Sequence, residues 1–152
     1  MFRAHPFGPR ADIGPFSLLL NVLWLVLGGA LLAFGWFVAA LVMCVTIIGI
    51  PWARAAFDNG LYALWPFGVR AMDRARVSGP DIGTSLFGFI GNVLWLIFAG
   101  WWLALGHLLA ALVAGITIIG LPFAWAHLKL AGYALWPIGR ALVSDDFARG
   151  RF

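Results

Sequence analysis

The side chains here that can do chemistry are few, and most of them come in pairs. Asn21 and Asn92 each stand three residues before a tryptophan, Trp24 and Trp95, so each amide shares a helix face with an indole. Thr46 and Thr117 each lie just upstream of a Gly-x-Pro step, in TIIGIP and TIIGLP. An amide inside an apolar helix either lines a polar path for ions or makes an interhelical hydrogen bond that fixes packing. A hydroxyl beside a helix break either joins exposed carbonyls in holding an ion or satisfies the groups that the break frees. Asn21, Asn92, Thr46 and Thr117 are therefore the pore-lining candidates, with polar packing as the competing role.

Enzyme chemistry finds no foothold. No Asp or Glu occurs within residues 13–53 or 82–128, so a carboxylate pair or an Asp–His couple cannot form inside those segments. Glycine-rich phosphate loops and zinc-type spacings are missing, and Cys44 is the single cysteine, a small apolar filler. No catalytic, cofactor-binding or metal-binding residue is expected, and no cofactor. His107 is expected at an outer turn, solvated, and His127 and Lys129 at the membrane interface among lipid headgroups.

The elements that must position these residues follow from composition. The chain is 63% hydrophobic and only 11% charged, with a mean hydropathy of +0.97. Soluble domains carry about 25% charged residues, so a bilayer is the expected solvent. The two charge-poor runs would reach roughly 60 and 70 Å as helix, about twice the 30 Å or so of a hydrocarbon core. Strand-type alternation, and with it a β-barrel, is not seen. A shift of 71 residues aligns 21–68 with 92–139 without a gap, and 26 of the 48 pairs are identical. That is a duplication.

Each copy reads as a helical hairpin: helices at about 16–34 and 36–56, turning near Phe34–Gly35, then about 85–105 and 107–127, turning near Gly106. Gly49–Pro51 and Gly120–Pro122 break the second helix of each pair, as a kink or as the first turn of a new interfacial helix. The expected organisation is a basic segment at 1–15, repeats at 16–72 and 85–144, a cytoplasmic linker at 73–84 and a tail at 145–152. All ten Lys and Arg residues flank the hairpins and none lies at their tips, so the positive-inside rule sets both termini in the cytoplasm. The fold class expected is all-α: four transmembrane helices in two co-oriented hairpins, with interfacial helical segments. Small residues recur at four-residue steps, Gly35 with Ala39, Gly100 with Ala104, and Gly106 with Ala110 and Ala114. Such stripes let helix backbones approach, within the hairpin or between subunits.

The paired motifs NVLWL, TIIGIP and YALWPFG, then NVLWLIFAGWWL, TIIGLPF and YALWPIGR, resemble those of the YccF family of bacterial inner-membrane proteins, one domain per copy, over about residues 17–144. The resemblance implies a small multipass protein of the bacterial inner membrane and carries over no catalytic residue. The pI of about 10.2 matches attraction to anionic headgroups, and no nucleic-acid partner is expected. The functional expectation is a homo-oligomeric channel or transport-like assembly for ions or small solutes. The alternative is a non-catalytic accessory or interaction protein of that membrane.

Overall fold

A computed structural model describes residues 14–47 and 49–150. Arg3, Arg10 and the rest of 1–13, together with Ile48, Arg151 and Phe152, lie outside the described residues. Each copy consists of a long helix, a tight turn, a shorter returning helix and a strand. In the first copy α1 spans Pro15–Val45, α2 Ile50–Leu64 and β1 Val69–Asp73, followed by the short helix α3 at Arg74–Ser78. After a 3-10 turn at Ile82–Thr84, the second copy supplies α4 at Leu86–Gly115, α5 at Leu121–Leu135 and β2 at Arg140–Ser144. Helix α6, Asp145–Ala148, follows.

These boundaries correct the sequence-based hairpins. Phe34–Gly35 and Gly106 lie inside continuous helix, and the chain reverses only after Val45 and Gly115. A glycine in a helix interior costs about 1 kcal/mol, less than unpaired backbone groups in apolar surroundings, so the helix runs through it. The reversal needs glycine for space. A Cβ on Gly49 would sit 2.6 Å from the Met43 carbonyl oxygen, and one on Gly120 1.9 Å from that of Ala114. Pro51 and Pro122 then fall in the first turn of α2 and α5, where a missing N–H is no loss. The returning helices, 15 residues each, reach only about 22 Å by helix rise. Among the described residues, two helices have the length and composition to cross a bilayer, α1 with 31 residues and α4 with 30.

Leu96–Gly100 in α4 forms a wider π turn, whereas the equivalent Leu25–Gly29 in α1 is a kink at which Gly28 leaves helical geometry with φ 130°. Here the indoles of Trp24 and Trp95 lie over Gly29 and Gly100, where a Cβ would meet the rings at 2.2 and 3.0 Å. Their Nε1–H groups donate to the carbonyls of Ala63 at 2.6 Å and Ala134 at 2.7 Å, at the far end of each returning helix.

The all-α expectation missed the element that joins the copies. β1 and β2 pair antiparallel, from Val69 opposite Ser144 to Asp73 opposite Arg140. Shifting either partner by the repeat length returns the same register, so a pseudo-twofold axis passes through the Ala71–Leu142 pair. Tyr62 and Tyr133, equivalent residues, meet nearby with ring centroids 5.8 Å apart. Phe123 meets Phe67 at 5.9 Å, so α5 passes α2 in the opposite sense, unlike the co-oriented hairpins expected from the sequence. Trp52 donates to the Gly91 carbonyl at 3.0 Å, and Trp24 stacks on Phe123 at 6.2 Å. Each returning helix thus begins beside the other copy's long helix and ends beside its own.

Asn21 and Asn92 hold those ends in place. Asn21 donates to the Phe67 carbonyl at 2.9 Å and accepts from the Phe67 N–H at 3.1 Å; Asn92 does the same to Ile138 at 2.9 and 3.0 Å. Replacing Asn92 with Leu would strand a buried N–H and a buried carbonyl, each worth about 1–3 kcal/mol. The expected outcome for Asn92→Leu, and separately Asn21→Leu, is a stability loss of about 2 kcal/mol or more, read as a lowered Tm in detergent. An unchanged Tm in both variants would contradict the clamp.

Candidate functional site

The residues singled out by sequence fall in three places. Asn21 and Asn92 are 0% and 1% exposed, and both ends of each amide are engaged by the chain's own backbone. Thr46 and Thr117 are exposed at the turns. Their hydroxyls accept from the Gly49 and Gly120 N–H groups at 3.2 and 3.0 Å and donate to the carbonyls of Met43 and Ala114. The structure does not bring the asparagines and threonines together: they sit at opposite ends of the long helices. Of the small residues, Gly100 and Ala104 are buried against the returning helix side. Gly35 and Gly106 are exposed, with open space around a built Cβ, and Ala39, Ala110 and Ala114 are half-buried.

Two residues differ from their sequence-based placement. His107 is buried at 6% exposure rather than solvated, its Nδ1 lying 3.1 Å from Nδ1 of His127. One ring must present an N–H and the other a lone pair. His127 in turn meets Trp24 edge-on at 4.9 Å, so the pair lies where the copies touch. Their counterparts in the first copy are Trp36 and Ala56, and nothing in the linear sequence marks the pairing. Lys129, expected among headgroups, turns inward. Its ammonium donates to the carbonyls of Pro66 and of Val69, the latter at 2.9 Å, and lies 5.5 Å from the Tyr62 ring centre. A flexible cation thus supplies donors to carbonyls just beyond the end of the first returning helix.

Polar chemistry concentrates on the ribbon and the linker. Arg70 of β1 pairs with Asp145 at 2.8 Å, tying the first copy to α6. Arg74 grips Asp81 through Nε at 2.8 Å and Nη2 at 3.0 Å, and Asp81 also caps the 3-10 turn by accepting from Thr84. Partial burial pushes the Asp81 carboxyl up, but the Arg74 hydrogen bond and charge, with the Thr84 and Gly83 N–H groups, bring its pKa below the ordinary carboxylate value. Beside this pair a groove of about 470 Å³ opens between the start of α2, the linker and the start of α4. Arg54 and Asp58 face it from α2. Burial pushes the Asp58 carboxyl up, against the pull of Arg54 and Arg74. Among the described residues, no three or more His, Cys, Asp or Glu side chains gather where they would hold a metal ion.

Two long apolar helices, a duplicated clamp and a charged ribbon between the copies define a membrane protein built from a tandem helical repeat. Comparison makes this specific: the YccF family, an inner membrane component domain, matches twice, over residues 19–69 and 90–140. Inner membrane protein YccF of Escherichia coli (strain K12) is 38% identical over 133 residues, covering 86% of this chain and 90% of that protein. The Shigella flexneri protein of the same name matches equally. The chain belongs to the YccF family. No solved structure matches it.

The low carboxyl pKa of Asp81 has a consequence for stability. Protonation favours the unfolded chain, so the contribution is present near neutrality and is lost as pH falls through the folded-state pKa, below about pH 4. Because Asp81 is 41% exposed, the effect should stay under about 1 kcal/mol. Unfolding of the wild type compared at pH 7 and pH 3 should show this loss, and Asp81→Asn should remove that part of it.

Proposed function

We propose that the protein is a non-catalytic component of the bacterial inner membrane that holds the paired ribbon and linker against the cytoplasmic face as a docking platform, with both termini on that side. The observation that carries this reading is the ribbon itself. It consists of one strand from each copy, and Arg70, Arg74, Arg76, Arg140 and Arg149 lie on it, in the linker or in the tail. Basic residues flanking apolar segments mark the cytoplasmic side. The relatives' names, inner membrane proteins, agree with the location. The polar atoms of Asn21 and Asn92 are taken up inside the chain, so a single protomer offers them to no solute.

A second reading, a homo-oligomeric channel or transport-like assembly, is favoured by Gly35 and Gly106, which face outward with open space around them. Close approach of a second copy along those faces would bury small residues. Photo-crosslinkers placed at Met72 on the ribbon and at Gly35 on α1 separate the two. The platform reading expects a stoichiometric foreign protein captured from Met72. Self-crosslinks from Gly35 with nothing captured from Met72, together with ion flux in liposomes, would reverse the order.

A further inference from the structure

The groove between α2, the linker and α4 has a chemistry that the two-copy design does not require. Its polar end holds two guanidinium groups. Arg54 makes no ion pair among the described residues. Arg74 donates through Nη2 to Asp81 at 3.0 Å, with its Nε 2.8 Å from the same carboxylate. Of the two acids, Asp81 is tied to Arg74, and Asp58 lies one helical turn from Arg54. The groove therefore holds two arginines and two aspartates, and Arg54, which makes no ion pair among the described residues, offers fork-shaped donors that match the oxygens of a phosphate.

The other end is apolar. Ile50 is 54%, Ile82 79% and Phe87 76% exposed, and all three line the same groove. Phe87 is the second residue of α4, so the groove opens where the apolar segment Leu86–Gly115 begins. A free anion would leave those three side chains uncovered. An anion carrying a hydrocarbon chain covers them, and a volume of about 470 Å³ lies within the range of roughly 300–1,000 Å³ usual for bound ligands.

We propose that this groove seats one phospholipid, its phosphate held by Arg54 and Arg74 and the upper part of an acyl chain lying along Ile50, Ile82 and Phe87. The duplication supports a single site. Where the first copy has Arg54, Asp58 and Arg74, the second has Trp125, Lys129 and Asp145, so the equivalent positions there reverse or lose the charge. The copies agree at the clamp and the turn, which build the fold, and part company at the residues that face the groove. The site stands independently of what docks on the ribbon.

Native mass spectrometry of the full chain, released from micelles containing phosphatidylglycerol, tests the assignment. One phosphatidylglycerol per chain should survive in the wild type. Arg54→Gln should reduce that retained fraction at least fivefold, while Arg54→Lys, which keeps the charge, should retain most of it. Arg149→Gln, a change in the tail away from the groove, should leave it unaltered. The melting temperature of each variant in lipid-free detergent guards against a folding defect, and Arg54→Gln should melt with the wild type. Equal losses in Arg54→Gln and Arg149→Gln would reduce the effect to general charge attraction and overturn the site. Soluble glycerol 3-phosphate at matched concentration should not displace the lipid; full displacement would assign the groove to a free phosphate ester and overturn the lipid reading.

Discussion

A backbone surrounded by apolar groups cannot leave its N–H and carbonyl groups unpaired, and this protein must break helix twice in such surroundings. At the end of each returning helix the chain has to leave helical hydrogen bonding to enter a strand. Phe67 and Ile138 are the residues where that happens, and both are buried. One asparagine from the long helix supplies a donor and an acceptor to each, and a tryptophan one turn on supplies a donor to the carbonyl four residues earlier. Amide and indole share a helix face because they are three residues apart. The spacing that suggested a polar path is the spacing that closes the end of a returning helix.

The turn solves the same problem at the other end. At each turn one N–H, of Gly49 or Gly120, and one carbonyl, of Met43 or Ala114, are met by a threonine hydroxyl. The glycine leaves room for the approach, and the proline needs no partner. TIIG followed by a proline is therefore a reversal signal complete in itself. Gly35 and Gly106 have no such companions, and the helix continues through them.

This contrast explains how far the sequence could be read. The repeat, the apolar runs, the family and the special status of Asn21, Asn92, Thr46 and Thr117 are all visible from residue identity and spacing. The turn falls later than bilayer thickness alone suggests because the local chemistry of TIIG and proline, rather than a single glycine, ends the long helix. The ribbon was invisible for another reason: VRAMD and RALVS are five residues each, too short to show a period, and each becomes a strand only because the other copy lies beside it. The same holds for His107 and His127, twenty residues apart and brought together by α4 and α5, and for Lys129, whose partners sit in the other copy.

Duplication within one chain also frees half of every pair to change. A homodimer of single-copy chains must carry any substitution on both sides of its axis. Here Tyr62 and Tyr133 remain matched at the axis, as do the asparagines and tryptophans of the clamp, since losing either member would open one end of the molecule. Away from those positions the copies diverge in charge and shape: Arg54 against Trp125, Asp58 against Lys129, Ala56 against His127. Lys129 shows how such divergence becomes structural, since its cation binds carbonyls of the first copy and has no counterpart from Asp58, which carries the opposite charge. The fold is therefore twofold where backbone must be satisfied and one-sided where side chains face a groove or a neighbour.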